Sequence, residues 1–217
     1  MKIIAILISL IVSISAQDET APTMTIATTL EITPEVTTLA GSGSQGSANG
    51  TGTAAAFYLP TDVALDGSGN MYVADYNNHL IRKITSAGVV TTFAGSGSEG
   101  SADGTGTAAS FNQPVGVAVD GSGNVYVADY TNHLIRKITS GGVVTTLAGS
   151  GSSGSDDGTG TAASFNIPSG VAVDGSGNVY VADASNNLIR KITSAGVVTT
   201  FAGSGSEGSA DGTGTAA

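Results

Sequence analysis

The apolar positions of this chain fall in short runs, each closed off by Gly, Asn, Asp or Ser before a helical period can develop. Residues 114–120 read PVGVAVD, a compact apolar run of the kind expected for a strand covered on both faces. After Gly121, Ser122 and Gly123 comes NVYVAD at 124–129, rich in Val and carrying Tyr126. LIRKIT at 134–139 follows a tight turn, and GVVTTLAG at 142–149 follows Ser140 and Gly141. Runs this short, punctuated by these residues, predict a meander of four antiparallel strands.

The same order recurs along the chain. TTLAGSG begins at Thr37 and Thr145 and TTFAGSG at Thr91 and Thr199, so successive copies lie 54 residues apart with no insertion. Full sets of strands fall at about 60–94, 114–148 and 168–202, while EVTTLAG at 35–41 supplies only what reads as an outer strand. A lone four-stranded sheet cannot bury both of its faces, and radial stacking of copies around an axis solves that problem. The expected fold class is therefore all-β: a propeller with three four-stranded antiparallel blades plus an N-terminal outer strand.

The segment GVAVDGSGNVYVADYTNHLIRKIT, with GVVTTLAG after it, resembles the NHL repeat. That family takes its name from the Asn-His-Leu found here at Asn78, His79 and Leu80 and again at Asn132, His133 and Leu134. The likeness runs from about Val36 to the end of the chain and carries an Asp-x-x-Gly-Asn turn, a Val-Ala-Asp strand ending and the NHL window in that order. It implies a propeller, commonly six-bladed, in which chain start and chain end share a blade. Propellers close with about four to eight blades, so three blades leave a ring open. Two expectations follow: a fragment whose next blade is cut off after Ala217, or a homodimer in which two chains pair as half-propellers.

Composition adds the compartment. The opening MKIIAILISLIVSISAQDE has a lone Lys2, an apolar run from Ile3 to Val12 and small residues at Ser13, Ser15 and Ala16. That layout predicts a secretory signal peptide over 1–16, too short to span a bilayer comfortably. Residues 17–34, rich in Thr with Pro22 and Pro34, read as a flexible lead-in, and 35–217 as the propeller. The expected location is extracellular, with no membrane insertion once the leader is removed. The chain has no cysteine, which removes disulfides, thiolate metal sites and cysteine nucleophiles together. A formal net charge of −10 argues against nucleic acid and anionic lipid as partners.

Candidate chemistry is thin. GSGSQG, GSGSEG and GSGSSG match GxGxxG, yet Gly and Pro follow where a dinucleotide site needs a helix. DGSGN, at Asp66, Asp120 and Asp174, echoes a calcium loop but lacks its closing glutamate and fits a hairpin connection better. The Gly-rich acidic connectors have the composition of solvated linkers, with calcium between blades as a weaker alternative. Asp75, Asp129 and Asp183 end their strands facing the turns that hold Asn78, Asn132 and Asn186, and Arg82, Arg136 and Arg190 are placed to reach a carboxylate; all of these uses are architectural. No catalytic, cofactor or metal residue is assigned.

Differences among the copies gather before the first strand and after the second, on one end of the disc. Leu59 becomes Gln113 and Ile167; Tyr76 becomes Tyr130 and Ala184; Asn77 becomes Thr131 and Ser185; His79 and His133 become Asn187. Loops that vary on a constant scaffold fit a recognition surface for a protein or carbohydrate, and Tyr brings large rigid area with a polar tip. The ligand-binding candidates are Tyr58, Asp62, Tyr76, Asn77, His79, Gln113, Tyr130, Thr131 and His133. The alternative, as the family resemblance implies, is part of a metal-dependent propeller hydrolase or lyase, lactonase-like or amidating-lyase-like, whose site lies in missing blades. Against it, Asp62 is the one acid near the channel entrance, and its counterparts are Gly116 and Gly170.

Overall fold

In a computed structural model of the chain, residues 34–216 are described. The expected signal peptide over 1–16, and all of the lead-in before Pro34, lie outside the described residues.

Three sheets follow one another. The first holds β1 (Gly50–Thr51), β2 (Pro60–Leu65), β3 (Met71–Asp75), β4 (Leu80–Ile84) and β5 (Val89–Ala94). The second holds β6 (Gly104–Thr105), β7 (Pro114–Val119), β8 (Val125–Asp129), β9 (Leu134–Ile138) and β10 (Val143–Ala148). The third holds β11 (Gly158–Thr159), β12 (Pro168–Val173), β13 (Val179–Asp183), β14 (Leu188–Ile192) and β15 (Val197–Ala202). Every ladder is antiparallel, with spatial order β1-β5-β4-β3-β2 in the first sheet and its equivalent in the others. The inner strands β2, β7 and β12 lie side by side, so the sheets are the radial blades of a β-propeller.

Two details differ from the expectation. Each blade carries a fifth strand of two residues, a Gly-Thr pair from the connector that seals the outer edge against β5, β10 or β15. The connectors are thus not free linkers: Gly52, Gly106 and Gly160 donate their N–H groups to Gly88, Gly142 and Gly196 of the outer hairpins. The second difference concerns 35–41, which form no strand. Their counterparts at 145–148 pair with LIRKI, and no LIRKI precedes residue 35. A lone extended segment has nothing to complete a ladder with.

Side chains alternate between the two faces of each blade. Tyr72, Ala74 and Ile81 point downstream, where they meet Phe111, Val117, Val127 and Ile138 on the upstream face of the second blade. Tyr126, Ala128 and Ile135 repeat the arrangement against Phe165, Val181 and Ile192 of the third. Each fully buried large apolar side chain contributes about 1.5–3 kcal/mol, so the blade-to-blade contacts are the core. Close approach near the axis needs Gly116, where a Cβ would stand 2.6 Å from the Ser169 carbonyl oxygen.

Candidate functional site

Each blade is locked by the same buried group of side chains. The Asp75 carboxylate, at the end of β3, accepts the Tyr58 N–H at 2.7 Å, the Asn78 Nδ2 at 2.8 Å and the Arg82 Nη1 at 2.8 Å. Arg82 also donates to the carbonyls of Ala56 and Ala48 and to Asn49 Oδ1, and its guanidinium lies over the Phe57 ring at 5.2 Å. Asp129 with Arg136, and Asp183 with Arg190, repeat the set. There the Asn49 position is Asp103 or Asp157, which adds a second ion pair. Burial pushes the Asp129 carboxyl up, against the pull of the Asn112 N–H, Asn132 and Arg136. The expected aspartate, asparagine and arginine contacts are therefore architectural: they bind the connector to its blade.

The DGSGN turns are clasps. Asp120 accepts the N–H groups of Ser122 and Asn124 on one oxygen, and Asn124 Nδ2 with the Tyr126 hydroxyl on the other. Partial burial opposes ionisation of Asp120, and these hydrogen bonds outweigh it and hold the carboxyl below its ordinary range. Burial, together with the Asp120 carboxylate, pushes the Tyr126 phenol up to about 12. Among the described residues, no group of three His, Cys, Asp or Glu side chains is poised to hold a metal ion.

The candidate face is built from the single helical turns after β3, β8 and β13: Tyr76–Asn78, Tyr130–Asn132 and Ala184–Asn186. Each turn ends on a left-handed residue, His79 at φ 53°, His133 at 55° and Asn187 at 54°. His79 Nδ1 accepts the Gln113 N–H at 3.1 Å, and His133 Nδ1 accepts the Ile167 N–H at the same distance. Both histidines thus bridge neighbouring blades. Asp62 does the same near the axis, accepting the N–H of Val63 at 2.8 Å and of Val117 at 2.9 Å. Tyr58 is tied through its backbone, its carbonyl accepting the Asn77 N–H.

Of the nine candidates, Tyr76, Tyr130, Gln113 and Thr131 form the connected, half-buried to exposed patch. The tyrosine rings meet edge to face at 6.4 Å, and Thr131 Oγ1 donates to Gln113 Oε1 at 2.8 Å. His79, His133 and Asp62 support it from below through their bridging bonds. Leu59 and Thr61, variable positions outside the nine candidates (Thr61 is Val115 and Ser169 in the other copies), are both exposed. Their signal in the sequence is variation between copies. That Leu59, Gln113 and Ile167 all take a positive φ, at 52°, 57° and 56°, is not readable from residues of these types.

The family described as NHL repeat matches residues 57–84 and 111–138, and the Teneurin NHL domain matches 151–215. NHL repeat-containing protein 2 of Gallus gallus is 40% identical over 100 residues, covering 45% of this chain and 14% of that protein. Protein SUPPRESSOR OF QUENCHING 1, chloroplastic, of Arabidopsis thaliana is 38% identical over 94 residues, covering 43% of this chain and 9% of that protein. Two solved structures from Bacteroides thetaiotaomicron, a putative phosphatase and an auxiliary nutrient binding protein, are each 26% identical, with TM-scores of 0.57 and 0.54. Each likeness covers 64% of this chain and 35% or 36% of the other. The chain thus spans about a third of those structures and a smaller share of the curated relatives. The 54-residue period, the His-bridged blades and these matches agree: the chain belongs to the NHL-repeat family of β-propellers.

Proposed function

We propose that this propeller is an exported, non-enzymatic scaffold that binds a protein or glycan through the face bearing Tyr76 and Tyr130. The observation that carries the reading is the tyrosine pair itself, two rings in edge contact, half-buried, on the end of the disc where the copies differ. The buried clamp beneath it is constant in all three blades, so the variable residues stand on a rigid base. Aromatic side chains held this way are frequent energetic anchors of interfaces. The leader-like N-terminus supports export, and the negative net charge favours ligands other than nucleic acid. One similar structure is an auxiliary nutrient binding protein, which agrees with a binding role, and another is a putative phosphatase, which keeps a hydrolytic reading as the competitor.

The test is a screen of the purified chain against immobilised glycans and extracellular protein domains, followed by the double substitution Tyr76→Ser and Tyr130→Ser. The expected result is native circular dichroism and melting, with affinity for any captured ligand reduced at least about tenfold. Unchanged affinity would remove the tyrosine face from the proposal. Stoichiometric metal in the purified protein, with turnover of lactone or phosphate ester substrates, would replace it by the hydrolase reading.

A further inference from the structure

The chain's single Asn-x-Ser/Thr sequence, Asn49-Gly50-Thr51, runs directly into β1. Its middle residue is Gly, not the Pro that would abolish the acceptor signal for a sugar. The buried clamp uses only half of the Asn49 amide: Oδ1 accepts Arg82 Nη2 at 2.9 Å, while no described residue engages Nδ2. Asn49 and Thr51 are both exposed. Exposure is a property of the repeat position, since Asp103 and Asp157 hold it in blades that have a neighbour stacked upstream. Their side chains are 52% and 53% exposed.

The other copies keep the Gly-Thr pair, at 104–105, 158–159 and 212–213, but set Asp in front of it. A carboxylate there gives Arg136 and Arg190 a second ion pair. The amide of Asn49 gives Arg82 the same acceptor oxygen and adds a nitrogen able to carry a substituent. We propose that Asn49 is a site of N-linked glycosylation, an inference that rests on the export reading given above. The glycan sits on Nδ2 and leaves the clamp intact.

The co-reactant is a lipid-diphosphate-linked oligosaccharide, met as the chain enters the secretory pathway. Nδ2 bonds the anomeric carbon of the donor sugar and gives up one proton to the transferase. The bond from that carbon to the diphosphate oxygen breaks, and the diphosphate leaves with the electron pair, so nothing is oxidised or reduced. The product is still an amide with a free Oδ1, and the bond from Arg82 Nη2 forms as the blade folds. The sugar then stands beside β1, an edge strand of its sheet. A bulky hydrated group in that place opposes pairing of the edge with another chain.

Secretion of the full chain, with its own leader, from cultured animal cells tests the proposal. The expected result is protein in the medium that runs heavier than its sequence mass and returns to that mass on treatment with an Asn-glycan amidase. Release in heavy-oxygen water is expected to leave labelled Asp at position 49 in the peptide mass spectrum, which separates removal of a glycan from spontaneous deamidation at Asn49-Gly50. Asn49→Asp and Thr51→Ala are expected to abolish the shift, and Thr51→Ser to keep it. Asn49→Asp installs the residue with which the second and third blades fold, so its loss of the shift is not a loss of structure. Secreted chain without the shift overturns the proposal alone. So does a shift that persists in Asn49→Asp, because the sugar is then on another residue. Retention of the chain inside the cell overturns the export reading and the proposal with it.

Discussion

His79 and His133 show how much a residue's meaning depends on what it faces. An imidazole beside Asn and Leu invites a reading as ligand or catalyst, and the geometry instead makes Nδ1 of each ring an acceptor for a backbone N–H of the next blade. The position makes two demands: left-handed backbone and an acceptor atom. Asn meets both, tolerating positive φ and offering Oδ1 where histidine offers Nδ1. His133→Asn is therefore expected to change stability by less than about 1 kcal/mol, whereas His133→Ala loses a hydrogen bond and strains the turn, costing about 1–2 kcal/mol. Urea denaturation of both variants checks this, and equal losses would show that the imidazole acts through packing alone. Asp75 and Arg82 are the opposite case: that Arg82 reaches a carboxylate was legible in the sequence, and the structure makes Asp75 that partner, because the end of one strand and a position two residues into the next share one face of a hairpin.

At the scale of the element, the hairpins β2-β3, β7-β8 and β12-β13 are shaped by their aspartate clasps. In the central one, the folded carboxyl of Asp120 is held below its ordinary value of 3.8, so its contribution to stability is complete above that value and is lost as pH falls beneath it. Asp66 and Asp174 titrate in the same direction through the same turn, Asn70 and Asn178 supplying the side-chain bonds. Melting temperature is thus expected to hold near neutrality and to drop as the pH passes below 3.8, more steeply for the parent than for Asp120→Asn. At neutral pH that variant loses about 1 kcal/mol or less, since the clasp is only partly buried and solvent screens it. Identical acid profiles for the two proteins would assign acid lability to other carboxylates. These hairpins were readable because Gly, Asn and Asp at fixed offsets specify a local turn. The two-residue strands β1, β6 and β11 were not, because Gly-Thr has little strand preference and pairs only where an outer strand already waits.

For the whole molecule, the distance between blades is set near the axis, where Gly116 on β7 lies against the backbone of β12. Gly116→Ala is expected to push those strands apart and cost about 1–3 kcal/mol, the range for overfilling a tight contact. Gly121→Ala, at a turn position with nothing within 4 Å of the new Cβ, serves as the control and is expected to be close to neutral. Urea midpoints compare the two, and equal midpoints would mean that the blades are more loosely stacked than the close approach indicates. The amino-acid sequence by itself determined the strands, the turns and the repeat, because each depends on neighbours a few positions away and on alternation between two faces. Only the tertiary structure decided which of the candidate side chains bridge neighbouring blades and which stay half-buried to exposed on the face. Those assignments rest on contacts far apart in the chain: Tyr58 with Asp75 across 17 residues, His79 with Gln113 across 34, and Asp62 with Val117 across 55. No local preference encodes such pairs; the stacking of one blade on the next brings them together.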